Sequence, residues 1–187
     1  MDLRVVKTKR SIKAAFLELR RKKPIEKITV KELTDLAMIN KGTFYLHYQD
    51  IYNLSDEIEN EFIDDIIKDV PELEPGEEGL NYPLITKKVM IAMYNRGEEA
   101  NALFSYGRDW ILVTKVENIL LKKFSEGSAL FADNPELEIA VRILSRGTFS
   151  LSLGGKKYDR ETILNTVTKM AEQLTKTYSN ITEQRSP

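Results

Sequence analysis

Lys41, Thr43, Tyr45, His47 and Tyr48 fall in one short run, NKGTFYLHY, at residues 40–48. It holds a cation, a hydroxyl, two phenols and the only imidazole of the chain. These groups suit phosphate oxygens and base edges, and a Thr methyl suits a thymine methyl. Asn40 is a good helix N-cap, and a helix starting there turns free backbone N–H groups toward an anion. Gly42 costs about 1 kcal/mol inside a helix relative to Ala, which is easier to explain where a backbone must approach something closely. Phe44 and Leu46 are expected to face a core. His47 has no second ligand four residues on, so the run does not read as a metal site.

The elements around it follow from apolar spacing. Ile12, Ala15, Phe16 and Leu19 recur at three and four, predicting a helix over 7–23 that closes with RRKK before Pro24. RRKK reads either as a solvated helix end or as a phosphate contact. TVKE at 29–32 has the capping-box pattern, with Thr29 as cap and Glu32 reaching back. It opens a helix over 29–37, followed by a turn and a second short helix over 40–47. A longer helix, 50–70, carries Ile51, Leu54, Ile58, Phe62 and Ile66 on one stripe. Asp56, Glu57, Glu59, Glu61, Asp64 and Asp65 form an acidic opposite face. PELEPGEEGL at 71–80 reads as a linker. Further helices are expected near 81–96, 98–106, 108–125, 135–152 and 159–179, the last capped by Asp159. The expected fold class is all-α. Two short helices joined by a tight turn, after a longer one, make a helix-turn-helix, whose second helix enters a DNA major groove.

Charge supports that layout. Residues 1–48 carry 12 Lys/Arg against 5 Asp/Glu, whereas the remaining 139 carry 16 against 24, so a basic head precedes an acidic body. There is no Cys, which excludes disulfides, thiolate metal sites and a Cys nucleophile and fits a cytoplasmic location. No apolar run approaches the roughly 18–20 residues of a membrane span, and MDLRVVKTKRSIKAAF has no signal-peptide apolar block. A phosphate-binding Gly loop, a Ser-centred elbow and HExxH are all missing. No metal or cofactor is expected, and a helical enzyme has no nameable catalytic constellation.

The run ITVKELTDLAMINKGTFYLHYQDIYNL, 28–54, resembles the TetR family of bacterial helix-turn-helix transcription regulators. Ile28, Thr29, Val30, Ala37, Gly42, Thr43, Tyr45, His47 and Leu54 match the family pattern, and Tyr48 stands for its usual Phe. The likeness is specific over about 10–54. Met38 stands where the family has a turn Gly, Asn40 for Ser, and Ile51 for a Lys that commonly faces phosphate. The resemblance implies a helix-turn-helix DNA-binding domain over 1–50 and a helical effector-binding and dimerisation domain over 51–187, with 51–70 as the connecting helix. It implies a ligand-responsive repressor that binds a double-stranded operator as a homodimer. An activator or co-regulator working through a partner protein, with little direct DNA contact, is the alternative.

The candidate DNA-contacting residues are Thr29, Asn40, Lys41, Gly42, Thr43, Tyr45, His47 and Tyr48. In the body, Met90, Met93, Tyr94, Phe104, Tyr106, Trp110 and Phe149 are candidates for a pocket taking a small apolar effector. Each also suits ordinary core. Ile139, Ile143, Ile163, Val167, Met170 and Leu174, on the last two helices, are the candidates for a dimer interface.

Overall fold

A computed structural model describes residues 3–68, 82–127, 131, 134–154 and 157–185. The 71–80 linker expectation lies outside them. Regular structure among the described residues is helical throughout, in two compact units: Met1–Asp64 with Gly97–Asp109, and Asp65–Arg96 with Trp110–Pro187. The expected boundary at residue 50 and this division differ. Most of the long helix after residue 50 packs with the head, as does the segment 97–109.

In the first unit, α1 spans Leu3–Arg20. Ile12, Ala15, Phe16 and Leu19 are buried as their spacing predicts, and a fully buried side chain of this size contributes about 1.5–3 kcal/mol. The helix stops before the RRKK run ends, because the Lys22 and Lys23 N–H groups both donate to the Leu19 carbonyl, at 3.0 and 3.1 Å. A short 3-10 turn, Ile25–Lys27, follows Pro24 and buries Ile25. Then come α2, Val30–Leu36, and α3, Lys41–Tyr45. Thr29 caps α2 by accepting the Glu32 N–H at 3.2 Å. The Glu32 carboxylate, expected to reach back to the Thr29 N–H, instead takes Lys23 Nζ at 2.7 Å, a bond in which both partners are ionised.

The α2–α3 turn is a Schellman motif. Met38 N–H donates to the Asp35 carbonyl at 3.3 Å and Ile39 N–H to the Thr34 carbonyl at 3.0 Å. Met38 takes the left-handed position, φ 54°, where the family pattern has Gly. A side chain there costs about 1–2 kcal/mol, and at 92% exposure Met38 recovers little by packing. Met38→Gly should therefore raise stability by a net ~0.5–1 kcal/mol after the extra chain entropy of Gly. Denaturant midpoints at constant slope would check this, and a lower midpoint would contradict it.

Helix α4, Ile51–Ile67, starts where Asp50 Oδ1 accepts the Asn53 N–H at 2.8 Å. Its whole expected stripe is buried, Ile51 included, so the position that departs from the family Lys serves the core. Later in the chain come α5, Tyr82–Asn95, and α6, Gly97–Phe104. Helix α6 packs on α1, and Phe104 meets Phe62 with ring centroids 5.7 Å apart.

Two readings of surface charge change here. Arg20 is neither a solvated helix end nor a phosphate ligand. It is fully buried, and its guanidinium donates to the Leu103 carbonyl at 2.9 Å and the Lys23 carbonyl at 3.1 Å. Burial, then the nearby Arg108 charge, push its pKa down. Glu59 is not on an acidic outer face. It is also fully buried, and its Oε1 accepts from Arg108 Nη2 and Ser55 Oγ, both at 2.7 Å. The 105–108 loop that delivers Arg108 passes through two left-handed residues, Tyr106 (φ 59°) and Gly107 (φ 78°).

In the second unit, α5 is joined by α7, Asp109–Gly127, α8, Pro135–Gly154, and α9, Arg160–Arg185. Helix α9 packs on α5 and α8. Asp159 caps it, accepting from the Thr162 N–H at 2.8 Å and hydroxyl at 2.6 Å. Glu117 of α7, 1% exposed, accepts from Arg146 of α8 at 2.7 Å. No helix among the described residues is long and apolar enough to cross a membrane.

Candidate nucleic-acid interface

The helix-turn-helix pair exists as expected, but it presents a more restricted surface. Asn40 Oδ1 caps α3 by accepting the Thr43 N–H at 2.7 Å, and it also accepts the Thr43 hydroxyl at 3.1 Å. A Cβ at Gly42 would lie 3.2 Å from that same oxygen. The glycine thus keeps the cap oxygen clear, an internal reason beside the expected close approach. Phe44 is fully buried, with its ring 5.4 Å from Tyr45 and 5.7 Å from Tyr48. Leu46 was expected in the core and is instead 83% exposed. The chain leaves the helix after Tyr45, and Leu46, four residues after Gly42, lies on the side away from Phe44.

Tyr48 was expected to contact DNA. It is 2% exposed, and its hydroxyl donates to Glu57 Oε1 at 3.0 Å. Lys9 sits 5.4 Å above its ring. Lys9 and Lys13 reach Glu57 at 3.1 and 2.8 Å, and Lys13 also pairs with Glu61. Tyr48 therefore ties α3 to α1 and α4 and offers no donor to a ligand. Burial and the Glu57 carboxylate push its phenol pKa up.

Burial works against ionisation of Glu57, but hydrogen bonds from Lys13, Lys9 and Tyr48 outweigh it and hold its pKa at about 2, below the ordinary 4.5. A depressed carboxylate stabilises the folded state above its unfolded pKa and loses that contribution as pH falls through the folded one. The Glu57 contribution should thus be complete above pH 4.5 and fade toward pH 2. Glu57→Gln should flatten the stability profile in that window, as acid titration of denaturant midpoints would show. An unchanged slope would contradict the coupling.

Lys41, Gly42, Tyr45 and Leu46 face solvent, Thr29 and Asn40 are exposed at their caps, and Thr43 and His47 are half-buried. The Ser11 hydroxyl donates to the Ala37 carbonyl at 3.0 Å, which lays α1 against the α2–α3 turn. Lys7, one turn before Ser11, and Arg10 are both exposed. The +7 head is less available than its count implies. Lys9, Lys13, Lys23 and Lys31 are in ion pairs and Arg20 is buried. Lys7, Arg10, Arg21, Lys27 and Lys41 have no ion pair among the described residues.

The second unit contains a cavity of about 50 Å³ between α5, α7 and α8. Met90, Met93 and Phe149 line it as expected. Tyr94 is one step removed, 3.4 Å from Ser152 Oγ at the lining, with Arg160 5.2 Å over its ring. Phe104, Tyr106 and Trp110 do not line it. Phe104 is core of the first unit, Tyr106 lies 5.5 Å under Arg20, and Trp110 is 62% exposed. Sequence reasoning missed the hydroxyls of Thr86, Ser145, Thr148 and Ser152, and no charged side chain lines the cavity.

The candidate interface residues divide in the same way. Ile163 and Val167 pack with Met90 inside the unit, so they are core, and Leu174 is half-buried. Ile139, Ile143 and Met170 are exposed. No group of His, Cys, Asp and Glu that could hold a metal ion occurs among the described residues.

These features define an all-helical chain whose N-terminal unit carries a helix-turn-helix. No family model matches the sequence, and no curated protein does. Solved structures do match. A structure described as the dihydroxyacetone kinase operon activator DhaS is 17% identical, covering 91% of this chain and 93% of that one, with a TM-score of 0.51. A TetR-family transcriptional regulator from Streptomyces coelicolor is 16% identical, covering 95% and 85%, with a TM-score of 0.55. The fold is that of the TetR-family regulators.

Proposed function

We propose that the protein is a sequence-specific DNA-binding transcriptional regulator, a repressor acting as a homodimer and released by a small uncharged ligand. The observation that carries this reading is the capped α2–α3 pair, with Lys41 and Tyr45 exposed on its second helix and Leu46 exposed at that helix's C-cap. The exposed Ile139 and Ile143 of α8 and Met170 of α9 supply an apolar surface for a second copy. A two-fold axis then implies a palindromic operator. The cavity, walled by thioethers, two aromatic rings, aliphatic side chains and hydroxyls without charge, suits an uncharged molecule and, at about 50 Å³, only a very small one.

Selection of duplexes from a random pool, followed by affinity measurements at two salt concentrations, tests the reading. Each phosphate contact contributes about 0.9 to the log–log salt slope. Lys41→Ala should flatten that slope by about 1 and weaken all duplexes alike. Failure to enrich any sequence would overturn the proposal. A second reading, an activator working through a partner protein, is favoured by the internal pairing of much of the head's positive charge. It predicts weak, salt-sensitive DNA binding with no enriched sequence.

A further inference from the structure

The outward face of α3 is short of hydrogen-bonding groups. The Thr43 hydroxyl donates its proton to Asn40 Oδ1 at 3.1 Å, so this half-buried side chain has no proton left for a base and its methyl is its apolar end. Gly42 has no side chain. Leu46, at 83% exposure, is the most exposed side chain of the segment among the large hydrophobics, ahead of Tyr45 at 56%. An exposed Leu at the end of a five-residue helix contributes little to folding, since Phe44 and Tyr48 already fill the core side. The exposed cations Lys41, Lys7 and Arg10 belong to α3 and to the part of α1 held against the turn by Ser11. An exposed Leu in a unit whose exposed cations include Lys41, Lys7 and Arg10 fits a polyanion whose groove floor carries methyl groups.

We propose that Leu46 and the Thr43 methyl read thymine 5-methyl groups in the major groove, so that the half-site core is specified by methyl contact. This rests on the DNA-binding reading and adds which chemical feature of the base is read. The 5-methyl of thymine is the one apolar group in the major-groove pattern, and it separates T·A from the other pairs without a hydrogen bond. Guanine reading by a bidentate cation has no candidate on the α3 face except Lys41.

The test uses a duplex enriched from a random pool by the full chain, and the same duplex with deoxyuridine at each thymine of the half-site core. Base pairing is kept and only the methyl is lost. Burial of one methyl-sized group corresponds to roughly a three- to fivefold effect on affinity, so deoxyuridine at a contacted position should weaken the wild type by about that factor. Leu46→Ala, an exposed change, should lose the preference at the thymines Leu46 contacts, and Leu46→Ala together with Thr43→Ser should bind the thymine and uracil duplexes alike. Equal wild-type affinity for both duplexes would overturn the proposal while leaving DNA binding standing. So would an unchanged thymine preference in Leu46→Ala together with Thr43→Ser. A pool from which nothing is enriched overturns this proposal with its parent and assigns the apolar face to a protein partner.

Discussion

Glu59→Ala should destabilise the protein by about 3–5 kcal/mol, the cost of removing one partner from a buried ion pair. Glu59 has no exposed surface, and the variant would leave Arg108, with a side chain 20% exposed, without its carboxylate. Ser55 would lose its acceptor at the same time. Arg20 adds to the penalty, because Glu59 is among the charges that offset its buried guanidinium. Glu59→Gln is the discriminating control: it keeps the volume and a hydrogen-bonding oxygen and loses the charge. Equilibrium denaturation of both variants checks this. A Glu59→Ala protein as stable as wild type would mean that the loop carrying Arg108 does not hold α4.

Ile143→Glu should yield a folded monomer whose operator affinity falls by about 10²–10⁴-fold, the gain that linkage of two half-site contacts supplies. Ile143 is 68% exposed, so the change should not disturb the unit that carries it. Its neighbour one turn back, Ile139, is 57% exposed, and the glycine one turn on, Gly147, has nothing within 4 Å of a would-be Cβ. An isologous contact places this face against its own copy, so one substitution enters the interface twice. Sedimentation and duplex titration of the same sample would measure both effects. A variant that stays dimeric, or a wild type that is monomeric at micromolar concentration, would contradict the assignment.

The features legible in the sequence were those set by neighbours a few residues apart. Thr29, Asn40 and Asp159 cap the helices they precede, and the α4 stripe from Ile51 to Ile66 is buried as its period implies. What escaped was set by partners far along the chain. Arg20 reads as part of a basic run until the Leu103 carbonyl, 83 residues on, takes its guanidinium. Glu59 reads as one acid among six until Arg108 reaches it from 49 residues away. Leu46 was misplaced because α3, at five residues, is too short for its period to fix a face. Tyr48 was misplaced because a phenol can point either way, and here a carboxylate inside the unit claims it. The pocket candidates from Met90 to Trp110 are close in sequence, yet Phe104 and Met93 belong to different compact units. Periodicity reports that a residue has an inner side and is silent about which core it enters.

The central claim is that α3 contacts DNA, and it is tested most directly by the double variant Lys41→Ala, Tyr45→Ala on a duplex enriched by the wild type. Both side chains are exposed, so the melting temperature should be unchanged. Loss of a base contact costs about 1–3 kcal/mol and loss of a phosphate contact adds to it. The double variant should therefore bind about ten- to several-hundred-fold more weakly. Its salt slope should be shallower by about 1. A folded double variant with wild-type affinity and an unchanged salt slope would contradict the account.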